Sequence, residues 1–160
     1  MGHFRIQDDG FTIIEAITVL LIVGIIGSVV LISWNYSTSV YDLTSQTEVI
    51  KGHLRYAQAR AMSANAVWGI DFATPTSYFL FKESPAETNR RALPGEDSDT
   101  ISPIPAKINV TTGTVYFDSR GKPYTSPPPS VESSTITITI SLGENPPETI
   151  TITQNTGFIP

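Results

Sequence analysis

Gly10-Phe11-Thr12-Ile13-Ile14-Glu15 opens an apolar run that continues to Trp34. Between Phe11 and Trp34 the one ionisable side chain is Glu15. A helix needs about 20 apolar residues to cross a bilayer, and the run supplies them. An acid at the centre of such a helix costs about 2.5–3.5 kcal/mol on insertion scales, so a chain that keeps one in its span uses it. Gly10, the small residue, stands before the apolar core, and no Ala-x-Ala-like site follows that core. A secretory signal has the reverse order.

Beyond Trp34 the helical period persists. Val40, Leu43, Thr47, Ile50, Leu54, Ala57, Ala61 and Ala64 recur at alternating spacings of three and four, one stripe on a helix. Lys51, Arg55 and Arg60 fall off the stripe and are expected in solvent. Asn65 is the expected C-terminal cap. The sequence therefore predicts one helix from Thr12 to Ala64, with Gly24 and Gly27 lowering its intrinsic helicity and Trp34, Tyr36 and Tyr41 suited to a membrane interface. Toward its end the stripe shrinks to alanine, which lets a sheet lie close.

The remainder reads as β structure. Val67–Phe72 and Tyr78–Phe81 flank the turn Ala73-Thr74-Pro75-Thr76, a hairpin signal. Residues 84–106 read as loop. Ile108–Thr111 and Val115–Asp118 read as strands around Gly113, Ser119-Arg120-Gly121-Lys122-Pro123 as a turn, and Ser126–Val131 as a Pro-rich linker. The last segment alternates most cleanly. Ile136, Ile138, Ile140 and Leu142 alternate with Thr and Ser, and after Gly143-Glu144-Asn145-Pro146-Pro147 so do Ile150 and Ile152. Paired antiparallel, these strands put every isoleucine on one face, to pack on the helix stripe or a second sheet. The expected fold is α+β: a long N-terminal helix, transmembrane in its first half, packed on a C-terminal antiparallel β domain. Its parts are a leader at 1–10, a transmembrane helix at 11–34, a helical stem at 35–65 and a globular β domain at 66–160.

The chain has 160 residues and a formal charge of −5. Arg5, Asp8 and Asp9 lie in the first ten, so the rest carries −4. That balance opposes attraction to nucleic acid or anionic lipid. There is no cysteine, which excludes disulfides, thiolate metal sites and cysteine nucleophiles. No catalytic constellation, cofactor loop or histidine-based metal spacing is present. His53 is the only histidine after the first ten residues and is expected in solvent on the polar side of the helix. Glu96-Asp97-Ser98-Asp99 is an acidic loop without the length, glycine or bidentate glutamate of an EF-hand, and reads as solvated rather than calcium-binding.

The opening six residues resemble the processing site of type IV prepilins and pseudopilins: Gly, then Phe, then Thr-Leu-Ile-Glu, with Ile13 and Ile14 at the Leu-Ile positions. The run Leu54–Ala66, the segment Val115-Tyr116-Phe117-Asp118-Ser119-Arg120-Gly121-Lys122-Pro123 and the terminal Thr156-Gly157-Phe158-Ile159 are similar to the GspH/FimT group. The resemblance implies cleavage between Gly10 and Phe11 by a prepilin peptidase on the cytoplasmic side. It also implies N-methylation of Phe11 and a role for Glu15 in assembly, facing the Phe11 amine of a neighbouring subunit. The implied protein is a minor pseudopilin or minor pilin in the inner membrane, single-pass, with its C-terminal domain outside and other pilin subunits as partners. The missing cysteines lean the same way, since many major pilins carry a C-terminal disulfide loop. Two other functions are weighed against it. Some FimT-type pilins bind DNA through arginines near the C-terminal glycine, but here that place reads Gly157-Phe158-Ile159-Pro160 without a cation. A membrane-anchored periplasmic binding module would need neither Gly10 nor Glu15.

Overall fold

The computed structural model describes residues 12–95, 102–130 and 134–160; within the helix, the side chains of 27–40 lie outside that description. Gly10, Phe11 and the acidic loop at 96–99 also fall outside it. The chain divides into two compact units, Met1–Thr38 and Ser39–Pro160.

Helix α1 runs Ile13–Ala64. Its end has a local cause. Asn65 adopts a left-handed conformation, φ 48°, and the Ala66 N–H donates to the Ala61 carbonyl at 3.3 Å. That six-to-one bond is a Schellman closure, with asparagine where glycine is commonest. In the second unit Leu43, Thr47, Ile50, Leu54, Ala57 and Ala61 are buried. Thr47 is satisfied there because its hydroxyl donates to the Leu43 carbonyl at 2.9 Å. Ala64 is exposed, so the buried stripe stops one position short of the expected one.

Two antiparallel sheets meet the helix. Strands β1 (Trp68–Thr74) and β2 (Ser77–Lys82) form the expected hairpin, with Thr74 opposite Ser77. A one-turn 3-10 helix (Glu87–Asn89) and the short strands β3 (Arg90–Arg91) and β4 (Ser102–Pro103) follow, so the stretch expected as loop adds two edges to β2. Strands β5 (Ile108–Val110) and β6 (Gly113–Phe117) do not pair with each other. β6 pairs with β1, while β5 pairs with β8 (Ile136–Leu142). Gly113 is thus the point where the chain changes sheets. With β7 (Pro123–Tyr124) and β9 (Glu148–Ile152), the larger sheet is ordered β3-β2-β1-β6-β7, and the smaller β5-β8-β9.

The terminal hairpin puts its isoleucines on one face, as the alternation predicts: Ile136 pairs with Ile152 and Ile138 with Ile150. Its isoleucines join Ile50 and Leu54 of the helix and Ile70, Phe72, Leu80 and Phe117 of the larger sheet in one core. Phe79, Phe81, Tyr116 and Tyr124 form a second cluster from alternate positions of the larger sheet. Phe81 and Tyr116 meet edge-on with centroids 5.2 Å apart, and the Arg90 guanidinium lies 4.3 Å over Phe79. Burial, then the Asp71 carboxylate, pushes the Tyr116 phenol above its ordinary pKa. Gly69 lets this cluster close on the strand, since a Cβ there would come within 2.5 Å of the Phe81 ring and nearer still to the Val115 carbonyl.

Candidate functional site: the capped apolar helix and the stem clamp

Thr12 precedes the first helical residue, and its Oγ1 accepts the Glu15 backbone N–H at 3.3 Å. Its carbonyl accepts the Ala16 N–H at 3.2 Å. Thr12 is therefore the N-cap of the helix and Glu15 its N3 residue, in the threonine–x–x–glutamate order that the sequence displays. A carboxylate in the first turn also complements the helix dipole. Glu15 is exposed and has no ion-pair partner among the described residues.

Apolar side chains surround it. Ile13 is 82 % exposed and Leu20 71 %, and large apolar side chains stay open on every face through Ile26. A helix apolar all round is ordinarily buried in protein or lipid. Among the described residues, no helix is long and apolar enough to cross a membrane; the rest of the expected span, at 27–34, falls where side chains are not described.

On the stem, two polar residues receive distant chain. Gln58 Nε2 donates to the carbonyls of Gly121 at 2.9 Å and Gly157 at 3.0 Å, with a longer contact to Thr156. Arg55 donates to the Ile159 carbonyl through Nη2 at 3.1 Å and Nε at 3.3 Å. The Asp118–Pro123 turn and the C-terminal tail, two segments singled out in the sequence, thus converge on one amide. Gly121 (φ 80°) and Gly157 (φ 64°) hold left-handed conformations, and a Cβ at either would press on Gln58. Both glycines are explained by conformation and close approach together. Asp118 holds the turn from inside: Oδ1 accepts the N–H groups of Arg120 and Lys122, and Oδ2 the Tyr124 hydroxyl. Sequence reading missed Gln58, whose only available signal was that pair of glycines. Gln58→Glu removes the donors, since an ionised carboxylate only accepts. It is expected to cost about 1–3 kcal/mol by leaving the Gly121 and Gly157 carbonyls unmet. A thermal melt of the full chain checks this, and an unchanged midpoint contradicts it.

His53 corrects an expectation. It is buried, 7 % exposed, rather than solvated. Nε2 lies 3.2 Å from the Pro94 carbonyl and Nδ1 2.8 Å from the Tyr78 hydroxyl. A carbonyl only accepts, so Nε2 carries the proton in the neutral ring and Nδ1 accepts from Tyr78. The histidine fastens Leu93–Gly95 to the stem. Arg55 and Arg60 are exposed as expected, with Arg60 4.9 Å over the Trp68 ring, while Lys51 is half-buried against Glu48 at 2.8 Å. That hydrogen bond holds the Glu48 carboxyl below its ordinary pKa. Among the described residues there is no cluster of His, Cys, Asp and Glu fit to hold a metal ion.

No protein-family model matches the chain, and no curated protein does. Solved structures do. One structure of the minor pseudopilin EpsH from the type II secretion system of Vibrio cholerae aligns with a TM-score of 0.53 at 11% identity, over 74% of this chain and 94% of that one. A second aligns at 0.51 and 9% identity, over 77% and 94%. At these identities the likeness is one of architecture, and the chain has the pseudopilin fold: a long N-terminal helix closing over antiparallel sheets.

Proposed function

We propose that the chain is a minor pseudopilin or minor pilin, a structural subunit anchored in the inner membrane and assembled into a pseudopilus or pilus. The observation that carries this is the helix start. The Thr12 cap holds the Glu15 backbone in the first turn of a segment whose isoleucines, leucines and valines are open on every face. Such a segment demands an apolar surrounding, either lipid or the helices of neighbouring subunits. The pseudopilin fold of the rest supports the reading.

Each site residue then has a role. Cleavage between Gly10 and Phe11 by a prepilin peptidase frees the Phe11 amine, which is methylated. Glu15 faces that amine on a neighbouring subunit. Two charges taken out of water pair well only in one geometry, so the pair fixes register more than it adds stability. In the proposed division, 1–10 is a leader, 11–34 spans the membrane, 35–65 is the stem and 66–160 is the domain that meets other subunits outside. Alkaline extraction of membranes from cells expressing the full chain tests the anchor. Retention in the pellet is expected, while quantitative release into the supernatant removes the reading.

A further inference from the structure

A polar pocket of about 440 Å³ lies at the base of the stem, in the size range of small-ligand sites. Asp42, Ser45 and Gln46 of α1 line it together with Lys107, from the turn before β5, and with the buried side chains of Ile108 and Leu142. Among the described residues, none of the four polar side chains has a hydrogen bond or an ion pair. The pocket thus gathers an unpaired carboxylate, an unpaired ammonium, an amide and a hydroxyl. Lys107 is held there under strain. The Ile108 N–H donates to the Pro105 carbonyl at 3.1 Å, and Lys107 has φ 77°. That is a type II turn, whose third residue is ordinarily glycine or asparagine. A lysine in left-handed backbone is disfavoured, and such outliers gather at functional sites.

We infer that this pocket binds a zwitterionic phosphoethanolamine headgroup of the surrounding bilayer, with the phosphate on Lys107 and the ammonium on Asp42. This rests on the membrane-anchor reading above and adds what the base of the stem recognises. Each charge of the headgroup meets its opposite through a charge-assisted hydrogen bond, and Ser45 and Gln46 offer neutral ones. Depth agrees. Asp42 follows Phe11 by 31 residues, about 46 Å of helix. A bilayer with its headgroups is about 40–45 Å thick, and a helix tilt of about 20° brings the two lengths together. Tyr41, next to Asp42, is 72 % exposed, and an amphipathic ring suits that level. A headgroup without net charge also suits a chain of charge −5, which repels anionic lipid. One carboxylate is too few for a divalent cation, and one ammonium too few for nucleic acid.

The test offers the full chain, purified in detergent, equal amounts of phosphatidylethanolamine, phosphatidylcholine and phosphatidylglycerol, and measures the lipid it retains by mass spectrometry. An apolar helix holds the three acyl chains alike, so the ratio reads the headgroup. Choline has no N–H to donate to Asp42, and phosphatidylglycerol has no cation. Phosphatidylethanolamine should therefore be retained several-fold over both. Asp42→Asn should bring it down to the level of phosphatidylcholine. Lys107→Gly should abolish the preference without lowering the melting midpoint, since glycine is the residue the turn favours; this separates lost binding from lost folding. Equal retention of the three lipids, or a preference that survives both substitutions, overturns the site. A midpoint raised by soluble O-phosphoethanolamine, without any preference among the lipids, assigns the pocket to a free zwitterion and overturns the lipid assignment. Alkaline extraction is read alongside: a pelleted chain without headgroup preference removes this site alone and leaves the anchor standing, while a released chain removes both.

Discussion

Glu15→Ala is expected to abolish incorporation into a filament while leaving the chain folded. Glu15 is exposed in the first turn, where its backbone N–H is held by Thr12, so its loss is expected to leave the β domain folded. Removing an N3 carboxylate weakens one helix start by about 0.3–1 kcal/mol through the dipole. The assembly effect is of another size. A buried amine left without its counter-charge costs about 3–5 kcal/mol, a factor of about 150 to 5,000 in subunit recruitment. Co-purification of the variant with filament subunits should fall to background, with its membrane level and melting point unchanged. Glu15→Gln keeps the shape without the charge and should fail as well. Normal recruitment of both variants would reduce Glu15 to a first-turn acid that complements the helix dipole.

The largest effect on folding is expected at Gly69. Alanine there puts a methyl within 2.5 Å of the Phe81 ring and against the Val115 carbonyl of the paired strand. The ring is fully buried, 0 % exposed, and a backbone carbonyl in a ladder cannot step aside. Overpacking of this kind costs about 1–3 kcal/mol and more where backbone must move. At about 4 °C per kcal/mol the midpoint should drop by roughly 4–12 °C. Gly52 is the internal control. It lies in the helix, exposed, with nothing within 4 Å of an added Cβ, so Gly52→Ala should stabilise by about 0.5–1 kcal/mol. Equal and small effects at the two positions would contradict the packing described around Phe81.

What was legible in the sequence was local. The terminal hairpin was readable as an antiparallel pair with its isoleucines on one face, because apolar and hydroxyl side chains alternate along both strands and a Pro-Pro turn separates them. The stem was readable because its stripe holds period over six turns and ends at an asparagine able to adopt φ 48°. Sheet order was not. β1 finds β6 rather than only its hairpin neighbour, and β5 crosses to β8, since pairing across long separations leaves no periodic trace. His53 looked solvated because helical period places it off the stripe; it is buried by a loop about 40 residues away, which no local pattern announces. Gln58 fails for the same reason, its partners lying 63 and 99 residues along the chain. Gly69 was the missed hint. A glycine inside a strand marks close approach, and here an aromatic ring takes the space.

The central claim, that a capped apolar helix beginning after Gly10 makes this chain an assembling subunit, is tested most directly at its N-terminus. The full chain is co-expressed with a prepilin peptidase shown active on a control substrate, and the membrane product is characterised by intact mass and N-terminal sequencing. A product starting at Phe11 and carrying one methyl group is the expected result. A chain still starting at Met1 or Gly2 would contradict it, leaving a pseudopilin-like fold joined to an uncut apolar helix.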